Sequence, residues 1–366
     1  MTFATEPRFE HGQASPSTGV LLVNLGTPES PTPAALRRYL GQFLSDPRVV
    51  EIPRAVWWLI LHGIVLRVRP AKSAAKYASI WMKEGSPLRV WTEKQTTLLQ
   101  GFLGEQGHRL IVRHAMRYGQ PSIAHQLDAL KQEGATRILI VPLYPQYSGA
   151  TTASVMDDVF SWGQGIRHLP ELRSIARFHD DAGYIEALAH SVRAHWASHG
   201  RAGRLVMSFH GMPERTLHLG DPYHCECLKT GRLLAERLDL KSDEYVVTFQ
   251  SRFGKAKWIE PYTEPTLRAL AKAGTQRVDV ICPGFVGDCI ETLEEIAMEG
   301  KQAFLSSGGQ EFNYIPCLND RLEWIRALST LVAKHLQGWP TQVAEQPSPA
   351  ALAAQRERAK ASGAQR

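Results

Sequence analysis

The chain is predicted to be an α/β protein made of two similar Rossmann-like domains. Each would be a four-stranded parallel sheet flanked by helices, with an active-site cleft between them. Three observations lead there. Short runs rich in Val, Leu and Ile recur along the sequence, and most are apolar throughout rather than alternating. Strands read that way when helices cover both faces of a parallel sheet. Segments of helical period separate the runs, which is the βαβ pattern. Four runs lie before about residue 178 and four after, and 366 residues are enough for two domains with a core each.

Residues 1–17 are polar and contain Pro and Ser, so they are expected to form a flexible tail. The first domain, 18–178, holds runs at 19–24, 109–114, 137–141 and 172–178. Between the first two lies the apolar stretch 55–66, too short for the roughly 20 residues that span a bilayer. It is either a buried helix or an exposed hydrophobic lip. Trp57 and Trp58, with Arg54, Arg67 and Arg69 beside them, would suit peripheral contact with a membrane interface. The second domain, 179–317, holds runs at 204–208, 245–248, 278–282 and 312–315. Residues 318–337 contain an amphipathic helix expected to pack back on the first domain. The Ala/Gln/Pro/Arg-rich segment 338–366 is expected to be disordered.

Composition narrows the function classes. Hydrophobic content of 43% and charged content of 21% are ordinary for a globular protein. The net charge of +6 is mild, and Arg356, Arg358, Lys360 and Arg366 contribute part of it. No basic stripe with interleaved aromatics is present, which argues against nucleic acid. The slight positive charge suits an anionic substrate or anionic lipid heads. Five cysteines, without paired spacing, make no disulfide framework. The first residues lack a basic-then-apolar signal, so a reducing, cytoplasmic setting is expected.

Ligands of open α/β sheets bind beyond the carboxyl ends of the strands. Neither GxGxxG nor a Walker A sequence occurs there, so nucleotide binding has no support. Two other features do stand there. His210 follows the run Leu205–Phe209, and Gly211 and Pro213 then suggest a tight turn. Past the run 278–282 comes a ladder of carboxylates, Glu291, Glu295 and Glu299. On an α-helix these share a face in steps of about 6 Å, and like charges so spaced destabilise it, which calls for a compensating cation. Imidazole with carboxylates suits a divalent metal such as Fe²⁺. On pattern alone His210 could equally be a satisfied helix-start histidine, and the ladder a solvated helix face. His224, Cys225, Glu226 and Cys227 look like a metal hook, but no second half matches them, so a zinc site is disfavoured.

Six ordered motifs carry a resemblance. Leu21–Pro28, Leu143–Ser148, Ser208–Pro213, Gly220–Tyr223, Phe249–Ser251 and Asp288–Leu293 resemble the ferrochelatase family in its proteobacterial form, over about residues 18–337. The resemblance implies insertion of Fe²⁺ into protoporphyrin IX to give protohaem and two protons, the last step of haem synthesis. His210 matches the active-site histidine and Glu291 its partner carboxylate, which would set the histidine's tautomer, share its proton or hold the metal. Glu295 and Glu299 match an acidic line for metal or protons. Arg69, Lys72, Tyr77 and Ser86 fall on positions that hold the porphyrin propionates. Arg117, Ser148, Ser251 and Trp258 fall on other pocket positions, and Asp288 on one that supports the histidine region.

The sequence departs from the family pattern in three places. Leu25 stands on the porphyrin face where other members carry Met or Tyr. Cys289 stands where a second histidine is common. Gly149 replaces a cluster-ligating cysteine of animal members, and no C-terminal cysteine group follows, so neither an iron–sulfur cluster nor another prosthetic group is expected. Iron enters as substrate. The alternatives are a related chelatase using coproporphyrin or another divalent metal, or a non-catalytic haem- or iron-binding protein.

Overall fold

The computed structural model describes residues 3–6, 17–254, 256–342, 345 and 347–365. The strands are β1 (Ser17–Gly26), β2 (Ile111–Tyr118), β3 (Ala135–Pro142), β4 (Glu171–Ser174), β5 (Arg204–His210), β6 (Tyr245–Gln250), β7 (Arg277–Ile281) and β8 (Glu311–Tyr314). In the first domain the helices are α1 (Pro33–Ser45), α2 (Arg54–Ile60), α3 (Leu66–Ile80), α4 (Pro87–Glu105), α5 (Ile123–Gln132) and α6 (Ser154–Gly163). The second domain has α7 (Ala182–His199), α8 (Glu214–His218), α9 (Tyr223–Arg237), α10 (Thr263–Lys272) and α11 (Lys301–Leu305). After it come α12 (Leu322–His335) and α13 (Pro349–Ala361). Three segments are π-helical: π1 (Leu61–Val65), π2 (Gly149–Ala153) and π3 (Glu291–Gly300).

The two sheets repeat one topology, β2-β1-β3-β4 and β6-β5-β7-β8, and their strand pairs are parallel. Val20, Leu21, Leu22 and Val23 of β1 are all fully buried, which is why that run is apolar without alternation. In this strand order the direction of winding reverses at β1 and at β5, and a crevice opens beyond their carboxyl ends. Leu25 and His210 therefore stand at the two switch points. Gly26 ends β1 at φ +116°, and a Cβ there would lie 1.8 Å from the Tyr118 carbonyl oxygen, so only glycine fits.

α12 packs against α4 of the first domain and α7 of the second. Its fully buried Trp324 stacks on Phe178 and meets Tyr184 edge-on. This aromatic cluster joins the two domains away from the cleft.

The lip is exposed. Val56, Trp58, Leu59 and Ile64 have 53, 59, 65 and 61% of their surface accessible, whereas Leu61 and Leu66 are buried. Trp57, grouped with Trp58 in the sequence reading, instead turns inward and donates to the Leu44 carbonyl at 2.6 Å. Pro70 inside α3 has no N–H for the Leu66 carbonyl, and the Arg37 guanidinium takes that acceptor at 2.9 Å. Among the described residues no helix is long and apolar enough to cross a membrane.

Within both tails the described residues differ from expectation, while residues 1, 2, 7–16, 343, 344, 346 and 366 lie outside the described residues. Residues 3–6 are anchored: Ala4 N–H donates to the Gly165 carbonyl, and Glu6 accepts from Lys131 and from the N–H groups of Arg167 and His168. The Lys131 contact, with help from those two amides, holds the Glu6 carboxyl at about 2, down from 4.5. A depressed carboxyl stabilises the anchored state above its unfolded value, and that contribution is lost as pH falls through 2. Glu6→Gln should therefore speed hydrogen exchange at the Ala4 amide at neutral pH. The difference from the native chain should vanish near pH 2; equal protection at pH 7 would show the anchor to be immaterial. At the other end, residues 349–361 form α13 with no buried residue, capped by Ser348 accepting from Ala351 N–H. Low hydrophobicity read as disorder, yet Ala, Gln, Arg and Lys have enough intrinsic propensity for a solvated helix.

Candidate active site

His210 ends β5 partly buried. Its Nδ1 lies 2.6 Å from the Gly211 carbonyl oxygen. A carbonyl only accepts, so Nδ1 carries a proton, and in the neutral ring the lone pair is left on Nε2. The histidine's own carbonyl accepts from Tyr223 OH at 2.9 Å. Gly211 N–H bonds the Gln250 carbonyl at 2.8 Å, and a Cβ on Gly211 would sit 2.5 Å from that oxygen. This close approach locks the ring beside the end of β6. The backbone sets the tautomer; Glu291, expected to do so, makes no hydrogen bond to His210 among the described contacts.

The ladder is a π-helix rather than the expected α-helix. Bonding from i to i+5 puts residues four and five apart on one face, and such segments recur at functional sites. Glu291 lines a cavity of about 10 Å³, room for about one water, with Leu25, Tyr39, Tyr77, Ser86 and Cys289. Glu295 is held by Ser251, close enough to His210 to feel its charge. It accepts from Ser251 N–H at 2.6 Å and from Ser251 Oγ at 2.5 Å. Burial raises its pKa, against the lowering pull of Ser251 and the nearby His210. Ser251 holds this geometry at φ +66°, a left-handed conformation rare outside glycine. Glu299 is exposed and bonds Lys76, which also holds the buried Glu294. That ammonium compensates Glu299 alone among the three carboxylates of the ladder. Among the described residues no three His, Cys, Asp or Glu side chains converge as a metal cage. His210, Glu291, Glu295 and Glu299 therefore do not share one such cage.

Other expected site residues fall into two groups. Arg69 and Lys72 are exposed on α3, and Arg69 lies over the Phe253 ring across the cleft. Tyr77 and Ser86 are buried at the cavity wall. Ser86 accepts from Thr27 Oγ1 at 2.6 Å, and burial drives the Tyr77 hydroxyl well above its usual value, with the charge of Glu291 adding to it. Trp258 is buried with its indole N–H unpartnered. The second group is committed elsewhere. Arg117, read as a pocket residue, bonds Asp46 at 2.8 Å and the Ser154 carbonyl at 2.9 Å, because a buried carboxylate needs a cation. Ser148 caps π2 and bonds Asp221 at 3.1 Å. Asp288, read as supporting the histidine, instead anchors the start of π3. It accepts from Tyr314 OH at 2.5 Å, Asn319 Nδ2 at 2.7 Å and Thr292 Oγ1 at 3.0 Å.

Sequence reasoning missed Tyr39, Thr27, Glu294 and Lys76. Only Glu294 left a signal, as a second glutamate inside the ladder. In the suspected zinc hook, Glu226 bonds Arg177 and Tyr147 N–H while Cys227 is buried and Cys225 exposed, so α9 scatters the four side chains.

The family model described as ferrochelatase matches residues 17–336. The ferrochelatase of Methylibium petroleiphilum is 67% identical over 365 residues, covering all of both chains. The chain belongs to the ferrochelatase family. A second relative, the ferrochelatase of a Polaromonas species, is 65% identical over 369 residues, again across both full lengths. The chain is therefore a metal chelatase, a lyase of haem biosynthesis. Among solved structures, SirB from Bacillus subtilis, solved with Fe³⁺, superimposes with a TM-score of 0.53 at 12% identity, covering 87% of this chain and 95% of SirB. That likeness supports the two-domain chelatase fold.

Proposed function

We propose that the chain inserts Fe²⁺ into protoporphyrin IX, giving protohaem and releasing two protons. The observation that carries this reading is Nε2 of His210, free of hydrogen-bond partners among the described residues at a switch point, with the half-buried Glu295 carboxylate nearby. Two pyrrole N–H protons must leave before the macrocycle accepts a metal. A flat ring keeps its lone pairs in the plane, and a bent one exposes them, a distortion driven by contacts at the periphery. Arg69 and Lys72 at the mouth, with the Tyr77 and Ser86 hydroxyls deeper in, would hold the propionates and supply that binding energy. His210 Nε2 accepts a pyrrole proton or transiently ligates iron. Glu295 takes up the positive charge that then develops on the ring, while Glu291 faces the porphyrin from the Leu25 and Tyr77 wall. Glu299 stands at the exposed end of the ladder. Iron is substrate, and the reaction needs no prosthetic group or iron–sulfur cluster. The chain works in the cytoplasm, with the lip 55–66 resting on a membrane surface.

An anaerobic insertion assay, followed by porphyrin absorbance, tests this. Turnover is expected with Fe²⁺ and protoporphyrin IX. Activity with coproporphyrin alone would move the substrate to the related chelatase reading. Co²⁺ or Zn²⁺ should also be inserted, since nitrogen ligands discriminate weakly among these ions. Strict exclusivity for Fe²⁺ would contradict the donor set assigned here.

A further inference from the structure

The two helices that build the cleft walls come from different domains. α3 carries Arg69, Lys72 and Tyr77, and π3 carries Glu291 and Glu295. Lys76 joins them. Its ammonium donates to Glu294 Oε2 at 2.9 Å and Glu299 Oε1 at 2.8 Å. Nearby, Ser79 Oγ approaches Met298 Sδ at 3.9 Å. Residues five apart on an α-helix point well away from each other, whereas π bonding stacks them, so one ammonium reaches both carboxylates only because π3 is π-helical. Glu294 is mostly buried, its side chain 11% accessible, so the clamp is more than a rim ion pair. Without Lys76, two stacked carboxylates would repel each other with no cation between them.

We infer that Lys76 is a positioning residue, clamping Glu294 and Glu299 so that the substrate-contact helix α3 stays in register with π3. The inference rests on the chelatase reading of the cleft. Lys76 itself touches no reacting atom. It fixes the distance between what holds the porphyrin and what receives its protons, and small misplacements of that kind are expensive in rate.

The test uses the full chain with Lys76→Met, which keeps the stem without the charge, and Lys76→Arg, which keeps the charge. For Lys76→Met, kcat is expected to fall about 10-fold. Porphyrin binding titrated by absorbance without metal should change little, whereas Tm should fall, because Glu294 is left buried without its cation. Lys76→Arg should recover most of the rate. Hydrogen exchange of α3 and π3, measured without substrate, should accelerate in Lys76→Met. Native kcat in Lys76→Met, or exchange unchanged in both helices, would overturn the inference. If the native chain inserted no metal, the chelatase reading would fail by itself, and the exchange comparison would still decide whether the clamp exists.

Discussion

Replacing His210 with alanine should abolish metal insertion while leaving porphyrin binding largely intact. The effect is the largest expected for any single side chain. A positioned acid or base contributes about 10² to 10⁴ in rate, and the geometry leaves His210 Nε2 free for that role because Nδ1 is spent on the Gly211 carbonyl. The ring also contributes little to the core, since it is only part-buried at the strand end. Porphyrin affinity, read by absorbance titration without metal, should therefore stay close to native while turnover disappears. Retained turnover in His210→Ala would remove the histidine from the reaction. Lost porphyrin binding would instead make it a binding residue.

Glu295→Gln is expected to separate activity from stability. The carboxylate is half-buried near His210, and desolvation raises its pKa despite three donors from Ser251 and Gln250. A carboxyl with a raised folded pKa favours folding in its neutral form. That stabilisation is fully present below the unfolded value and is lost as pH rises through the folded one. Burial thus disfavours the ionised form of Glu295 in the fold, and removing its charge should offset the acceptor that glutamine withdraws from Ser251 and Gln250, so Tm should change little. The same substitution removes the charge that balances positive charge on His210, so kcat should drop by about 10-fold or more. Thermal unfolding and turnover measured on one preparation decide this. A fall in Tm with native kcat would reverse the assignment and make Glu295 a structural group. The contrast with Asp288 is instructive: that carboxylate accepts from three side chains at the start of π3 and is built as an anchor.

The fold was legible because its signals are local. A strand covered on both faces must be apolar along its length, and Val20–Val23 or Ile138–Val141 show this without any knowledge of their neighbours. The position of His210 was legible for a related reason: a polar ligand-type residue just past such a run has to emerge at the sheet's carboxyl end. Residues 3–6 depart from the expected flexible tail because a few specific contacts outweigh composition, as Glu6 shows with Lys131 and two backbone amides.

The candidate site was legible as a set of residues and not as a set of partnerships. The sequence by itself determined a doubly wound pair of domains, a histidine at one switch point, and a carboxylate ladder that needs a cation. Only the tertiary structure decided that the ladder is π-helical, which pairs Glu294 with Glu299 on Lys76, and that Glu295 is held by Ser251. It also decided that Arg117 and Ser148 are held by Asp46 and Asp221, and that a backbone carbonyl sets the histidine tautomer. The physical reason is range. Hydrophobic period reports on a residue's own burial, whereas hydrogen-bond partners such as Lys76 and Glu294, 218 positions apart, are chosen by the packing of two domains against each other.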